Sequence, residues 1–171
     1  MNTLWLHGMG ARPKEWQLKG LLDNGLKPFA LHLNYCNCPA FEILSAYIKE
    51  NDIKFLIGHS HGGFLGYWLS EEFGIPCLLS NPHLSIRSQS FNTPPITQRK
   101  SPLSLIVLGS DDELVDADRT LLFLEQEKMK FPDKNIKTLM LNGVGHGQDP
   151  EHFDASVKWA LKEYTYLNAE K

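Results

Sequence analysis

Short apolar runs alternate along the chain with stretches of helical periodicity. The apolar runs are rich in Leu, Ile, Val and Phe with little polar alternation, which is typical of strands buried on both faces of a sheet. They predict strands over residues 3–7, 29–33, 53–57, 76–80, 103–108 and 136–141. Helices are predicted over residues 39–50, 60–72, 117–129 and 151–164, with a weaker one over 14–23. This alternation indicates a parallel sheet with helices on both faces.

Length and composition are those of an ordinary globular protein. A chain of 171 residues fits one domain, and we find no repeat, low-complexity tract or linker that would divide residues 1–171. The net charge of −3 and the pI near 6.1 argue against a nucleic-acid binder. We recognise no signal peptide and no apolar run of membrane length. The three cysteines, an odd number, suit a reducing compartment, so we expect a cytoplasmic protein.

Four polar, glycine-bearing loops follow predicted strands. They are residues 7–10 after the first strand, 58–62 after the third, 109–113 after the fifth and 143–147 after the sixth. Ligands of parallel sheets bind outside the carboxyl ends of the strands. We therefore expect these loops to share one rim and to form the functional site, with His7 making a structural hydrogen bond under its own loop.

The loop after the third strand reads Gly58-His59-Ser60-His61-Gly62. A Gly-x-Ser-x-Gly between a strand and a helix is the nucleophile elbow of serine hydrolases, where small residues on either side of the serine let helix and strand approach. The serine oxygen then lies at a helix N-terminus, where the helix dipole favours negative charge. His59 is expected beneath the elbow. The alternative is a plain strand-to-helix turn with Ser60 as the N-cap.

A serine nucleophile needs a histidine to accept its proton and a carboxylate to orient that histidine. His146 is the predicted base, because it lies in the glycine-flanked loop after the last strand. The acid is predicted after the fifth strand, where Asp111 and Asp112 both qualify. Asp112 is favoured because its Gly-x-x-Asp-x-x-Val spacing resembles that at the acid of α/β-hydrolases. Asp149 is a distant third, since it lies on the loop of the histidine itself.

An oxyanion hole needs two backbone N–H groups. One is predicted at His61, the residue after the nucleophile, and the other at Met9 in the loop after the first strand. Phe64, Phe91 and Met9 are candidates to line an acyl pocket, and for Phe64 the core is the favoured alternative. The stretch between the fourth and fifth strands is polar and proline-rich, which predicts a minimal lid or none at all, a plain surface loop being the alternative.

The chain order Ser60, Asp112, His146 is that of α/β-hydrolases. Leu4-Trp5-Leu6-His7-Gly8 and patches between Ser60 and Pro82 resemble the small bacterial YqiA-like esterases of that superfamily. The resemblance implies a compact α/β-hydrolase fold, for which we expect six mainly parallel strands in the order 2-1-3-4-5-6. It also implies a serine carboxylesterase or acyl-thioesterase with those three residues as its catalytic triad.

Two other functions stay open. The run Gly8-Met9-Gly10, followed by Glu15-Trp16, resembles the pimeloyl-carrier-protein methyl esterases of biotin synthesis. A metal-dependent hydrolase would use His59 and His61 with Cys36-x-Cys38, although that spacing does not match the usual zinc patterns. The main prediction is a hydrolase without metal or cofactor, acting on a small acyl ester or acyl-thioester, free or bound to a carrier. We expect a monomer or weak homodimer with no nucleic-acid or membrane partner.

Overall fold

The computed structural model describes residues 1–85, 94 and 96–169. The strands in these residues are β1 (Asn2–Leu6), β2 (Lys27–Ala30), β3 (Phe55–His59), β4 (Cys77–Ser80), β5 (Ser104–Gly109) and β6 (Ile136–Leu141). The helices are α1 (Glu15–Asp23), α2 (Ala40–Glu50), α3 (His61–Phe73), α4 (Ala117–Lys130) and α5 (Pro150–Ala169).

The six strands form one parallel sheet in the order β2-β1-β3-β4-β5-β6. Leu4 of β1 lies opposite both Phe29 of β2 and Leu56 of β3. All strands therefore end at the same edge of the sheet, and the loops that follow them share one rim. The predicted strand order and the predicted parallel sheet with helices on both faces are confirmed.

The edge strand β2 begins and ends earlier than its apolar pattern predicts. Lys27 enters the ladder by donating its N–H to the carbonyl of Met1, and Pro28 is tolerated because β2 is an edge strand. After Ala30 the chain leaves the sheet. The N–H of Leu33, predicted to lie in the strand, binds instead to Nε2 of His7, 3.1 Å away.

Two apolar layers cover the two faces of the sheet, because alternate residues of each strand point to opposite sides. Leu56 of β3 packs with residues of α2, α3 and α4. Phe55 and Ile57 pack on the other face with residues of α1 and α5. The helix α3 is buried without interruption from His61 to Glu71, so it is fixed on all sides and can hold its N-terminus firmly at the rim.

A buried ion cluster fixes α3 against α4 near the start of β6. Lys134 contacts Glu71 at 2.8 Å and Glu127 at 3.2 Å, and it donates to the hydroxyl of Tyr67. Arg99 donates to the same carboxylate of Glu127 at 2.7 Å. The two cations and two carboxylates balance, as burial of charge requires. In the described part of the chain no helix has the length and apolar character to span a bilayer.

Candidate active site

The turn between β3 and α3 holds Ser60 in a strained backbone conformation, with φ 55° and ψ −119°. Such a conformation costs on the order of 1–3 kcal/mol and persists only where neighbouring contacts impose it. Here the contacts are between main chains. A Cβ on Gly58 would lie 2.6 Å from the carbonyl oxygen of Gly62, and one on Gly62 would overlap the carbonyl oxygen of Leu6. Glycine is therefore required on both sides of the serine.

Ser60, His146 and Asp112 lie in one hydrogen-bonded row. Oγ of Ser60 is 3.0 Å from Nε2 of His146, and Nδ1 of His146 is 2.8 Å from Oδ2 of Asp112. The carboxylate can only accept, so Nδ1 carries the proton and Nε2 accepts from the serine hydroxyl. The side chain of Asp112 is fully buried and that of His146 is 21% exposed. This arrangement can move a proton from serine to histidine.

Geometry separates the three candidate acids. The second oxygen of Asp112 accepts the backbone N–H groups of Leu114 and Val115, each at 2.8 Å, which locks the carboxylate toward His146. Asp111 is exposed and accepts instead from the hydroxyl of Ser110. The third candidate, after β6, bonds to its own helix: Asp149 contacts the ring and the N–H of His152. Only Asp112 reaches the predicted base.

The loop after β1 turns back toward the serine. The N–H of Ala11 donates to the carbonyl of Gly8, and Gly10 has φ +69°, as the third residue of a type II turn requires. A Cβ on Gly8 would lie 3.4 Å from the Cβ of Ser60, so this loop packs directly on the elbow. Met9 lies at the tip of this turn. The first turn of α3, which contains His61, packs against the end of β1, from which the loop starts.

His7 fixes that loop from below, as predicted. Its Nδ1–H donates to the carbonyl of Gly8 at 2.8 Å, and its Nε2 accepts the N–H of Leu33. Burial lowers the pKa of His7, an effect that its bond to Gly8 partly opposes. The ring thus serves as a neutral bridge between the loops that follow β1 and β2.

His59 lies beside the base. Its ring centroid is 4.9 Å from that of His146, and its Nδ1 lies 3.2 Å from Oγ of Ser80. Burial, and then the neighbouring His146, lower the pKa of His59 to about 4. A neutral ring therefore lies against His146 at neutral pH.

The side chain of His61 packs rather than pointing into solvent. It is 5% exposed and lies between Tyr35, at 5.0 Å, and Phe64, at 5.7 Å between ring centroids. Phe64 itself is 2% exposed and belongs to the apolar core around Leu56. Of the two places considered for Phe64, an acyl pocket and the core, its burial favours the core. Phe91, with the rest of residues 86–93 and residue 95 of the predicted lid segment, lies outside the described residues.

Asn81, directly after β4, is a site residue that sequence reasoning missed. Its amide NH₂ donates to the carbonyls of Gly145 and His146 at 3.2 and 2.9 Å, and its Oδ1 accepts the N–H of Gly109 at 2.8 Å. The side chain thus fixes the histidine loop to the end of β5. A polar residue at the carboxyl end of a buried strand was the available signal, the same one that identified the other four loops.

His83, two residues further on, also faces the site. Its ring donates to the carbonyl of Leu114 and lies 6.4 Å from the ring of His146. The residues of the metal-site alternative do not come together in the described part of the chain, which holds no group of three His, Cys, Asp or Glu side chains able to bind a metal ion.

Comparison with known proteins identifies the fold. No family model and no curated protein matches this chain. Among solved structures, Est1E from Butyrivibrio proteoclasticus has a TM-score of 0.72 at 16% identity and covers 96% of this chain and 88% of its own. A Xanthomonas campestris protein described as belonging to the α/β superfamily of hydrolases has a TM-score of 0.71 at 13% identity, covering 95% and 98%. The monoacylglycerol lipase of Paleococcus ferrophilus has a TM-score of 0.64 at 15% identity, covering 94% of each chain. At these identities the likeness shows the fold.

Proposed function

We propose that this protein is a serine hydrolase that cleaves carboxylic esters or acyl-thioesters through an acyl-enzyme on Ser60. The observation that carries the proposal is the row from Ser60 through His146 to Asp112, with contacts of 3.0 and 2.8 Å. The strained elbow at the N-terminus of α3 supports it, because strain of this kind concentrates at functional sites. The names of the solved structures with this fold, which include an esterase and a lipase, are consistent with it.

In the first half-reaction, Oγ of Ser60 attacks the acyl carbonyl while its proton passes to Nε2 of His146. Asp112 holds the Nδ1–H tautomer and stabilises the imidazolium that forms. The backbone N–H groups of Met9 and His61 bind the oxyanion, and removing one such donor costs on the order of 10²–10³ in kcat. The tetrahedral intermediate then collapses, and the imidazolium protonates the departing alcohol or thiol.

In the second half-reaction, water takes the place of the leaving group. His146 accepts a proton from the water, the resulting hydroxide attacks the acyl-enzyme, and the collapse of the second intermediate returns the proton to Ser60 with release of the acid. The neutral ring of His59 adds no positive charge beside the imidazolium that forms twice in each cycle.

Labelling with a fluorophosphonate tests the nucleophile. The reagent should phosphonylate Ser60 with loss of fluoride, and intact-mass analysis should show one adduct per chain. The Ser60→Ala variant should show none, whereas Ser110→Ala, at an exposed serine of the same rim, should label like the wild type. A folded wild-type protein that takes up no label and hydrolyses no ester would contradict the proposal.

The substrate class is also a proposal. The resemblance to YqiA-like esterases supports small acyl esters or thioesters as the substrate class. A panel of acyl esters and acyl-thioesters of increasing chain length, measured as kcat/KM, distinguishes the two leaving groups and finds the preferred acyl length. The same panel run on Ser60→Ala gives the background for each substrate.

A further inference from the structure

A pocket of about 150 Å³ opens beside the elbow, on the side of the sheet covered by α1 and α5. Its walls are the loop after β1, the start of α1, the ring of His59 and the two residues after His146. Two larger pockets lie at the opposite end of the sheet. One is lined by residues that precede β4, β5 and β6, and the other by residues that precede β1, β3 and β4. Among these pockets of the described residues, only the one beside the elbow can hold part of a molecule that reacts at Ser60.

The pocket shares its walls with the reacting groups. Gly8, which lines it, lies where a Cβ would be 3.4 Å from the Cβ of Ser60 and 3.5 Å from the ring of His59. Gly147, also in the wall, directly follows the predicted base. A substrate whose carbonyl is bound at the elbow can therefore extend one end into this space. The volume corresponds to roughly five water molecules, enough for a short chain with a polar end group.

The charged groups in the wall are all positive. The exposed residues Arg12 and Lys14 line the pocket, and within the described residues neither has a carboxylate at ion-pair distance. The ammonium of Lys14 lies 6.0 Å from the centre of the Trp16 ring, a contact that leaves its charge uncompensated by an anion. The chain as a whole carries a net charge of −3, so two cations without a carboxylate partner here run against its overall balance. The imidazoles of His7 and His59 add no charge at neutral pH, since burial lowers the pKa of both.

A neutral donor completes the lining. The amide oxygen of Gln17 accepts the N–H of Lys14 at 3.0 Å, which leaves its NH₂ group as a donor. Trp5 is 2% exposed and adds only ring surface to the wall, because its indole nitrogen is buried within the protein. An oxygen-rich ligand would supply acceptors to a wall that presents cations and N–H groups.

We propose that this pocket, the cationic pocket, binds an anionic oxygen group, a carboxylate or a phosphate, at one end of the ester substrate. The inference rests on the proposed function for the reaction and adds the substrate class. Arg12 and Lys14 would act as specificity residues that recognise the anion while Ser60 attacks the carbonyl. An ester of a short acid that bears a second, ionised group is then preferred over a neutral ester of equal length.

Matched substrates test the charge. The mono-p-nitrophenyl ester of adipic acid ends in a carboxylate, and the corresponding adipamic ester ends in an amide of the same size. A third ester, of 5-phosphonopentanoic acid, ends in a phosphonate. We expect the wild type to favour an anionic ester over the amide. Arg12→Gln and Lys14→Gln should each lower the preference for that ester over the amide ester, measured as the ratio of their kcat/KM values, about tenfold.

The controls keep this outcome separate from the proposed function. Lys19→Gln removes an exposed positive charge of α1 outside the pocket and should behave like the wild type. Titration of adipate and of 5-phosphonopentanoate into Ser60→Ala measures binding without turnover. Adding Arg12→Gln and Lys14→Gln together to the Ser60→Ala protein should weaken the binding of both anions. Hydrolysis with equal rates for anionic and neutral esters, or a preference that survives the double variant, overturns the cationic pocket. The ester whose kcat/KM falls more in the double variant, the carboxylate or the phosphonate, identifies the anion that the pocket prefers.

Discussion

Replacing Asn81 by aspartate perturbs the histidine loop without changing the size of the side chain. The φ of 44° at this position is tolerated by aspartate, and the bond that Oδ1 accepts from the N–H of Gly109 can persist. The two bonds from the amide NH₂ to the carbonyls of Gly145 and His146 are lost. A carboxylate oxygen then faces two carbonyl oxygens at a site that is 2% exposed.

The expected cost follows from these contacts. Each buried carbonyl left without its donor costs about 1–2 kcal/mol, so Asn81→Asp should lower the free energy of unfolding by about 2–4 kcal/mol near pH 8. Burial and the facing carbonyls raise the pKa of the new carboxyl group in the folded state above its unfolded value. The penalty therefore grows as pH rises, and shrinks in acid, where the protonated carboxyl can donate to one of the two carbonyls.

Activity should fall together with stability, because displacement of a catalytic group by about 1 Å can cost 10²-fold. Urea unfolding followed by tryptophan fluorescence at pH 8 and pH 5.5, with kcat for a p-nitrophenyl ester, measures both effects. Asn142→Asp, at an exposed residue that follows β6, adds the same charge without these bonds. If Asn81→Asp matches Asn142→Asp in stability and kcat at both pH values, Asn81 does not hold the histidine loop.

Three further predictions follow from the same geometry. Asp112→Asn should lower kcat by on the order of 10³–10⁴, because the amide favours the wrong tautomer of His146. The control Asp111→Asn should keep kcat within about threefold of the wild type. Equal losses of kcat for the two variants in steady-state assays would refute Asp112 as the catalytic acid. Gly62→Ala should prevent folding or cost more than about 3 kcal/mol in urea unfolding, since its Cβ would overlap main-chain oxygens at the end of β1, whereas Gly147→Ala, with open space around it, should fold normally. Burial and His146 lower the pKa of His59 in the folded protein to about 4. As the pH falls, the imidazole of residue 59 is therefore protonated in the unfolded chain before it is protonated in the folded one. The free energy of unfolding should then fall by about 3 kcal/mol between pH 6.5 and pH 4. His59→Gln should flatten that dependence, and an unchanged slope would contradict it.

The fold could be predicted from the sequence because parallel strands buried on both faces appear as plain apolar runs. The run 103–108 lies within one residue of β5, all of whose residues are buried. The run 136–141 matches the edge strand β6 at both ends, because its ladder with β5 extends from Ile136 to Leu141. The run 29–33 does not match β2, because Leu33 bonds to a histidine side chain rather than to a neighbouring strand. A bond of this kind, between residues 26 positions apart, leaves no periodic trace in the sequence.

The candidate site could be predicted where a sequence motif determines the local geometry. It could not be predicted where contacts between residues far apart in the sequence determine which side chains meet. The elbow is such a motif, since its two glycines are required by contacts within the turn and with β1. The choice between Asp111 and Asp112 needs the position of the histidine, 34 residues beyond the acid. Asn81 resembled an ordinary turn residue before proline, and its partners lie 64 and 65 residues along the chain.

The two histidines beside Ser60 have opposite surroundings because the elbow divides them between the faces of the sheet. His59 ends β3 and points to the same side as Ile57, where it meets His146 and the cationic pocket. His61 begins α3 and packs with Tyr35 on the other side. The two rings lie on opposite faces of the sheet because the strained residue Ser60 separates the end of the strand from the start of the helix. His59 is thus part of the wall of the cationic pocket beside His146, and His61 fixes the start of α3 against Tyr35.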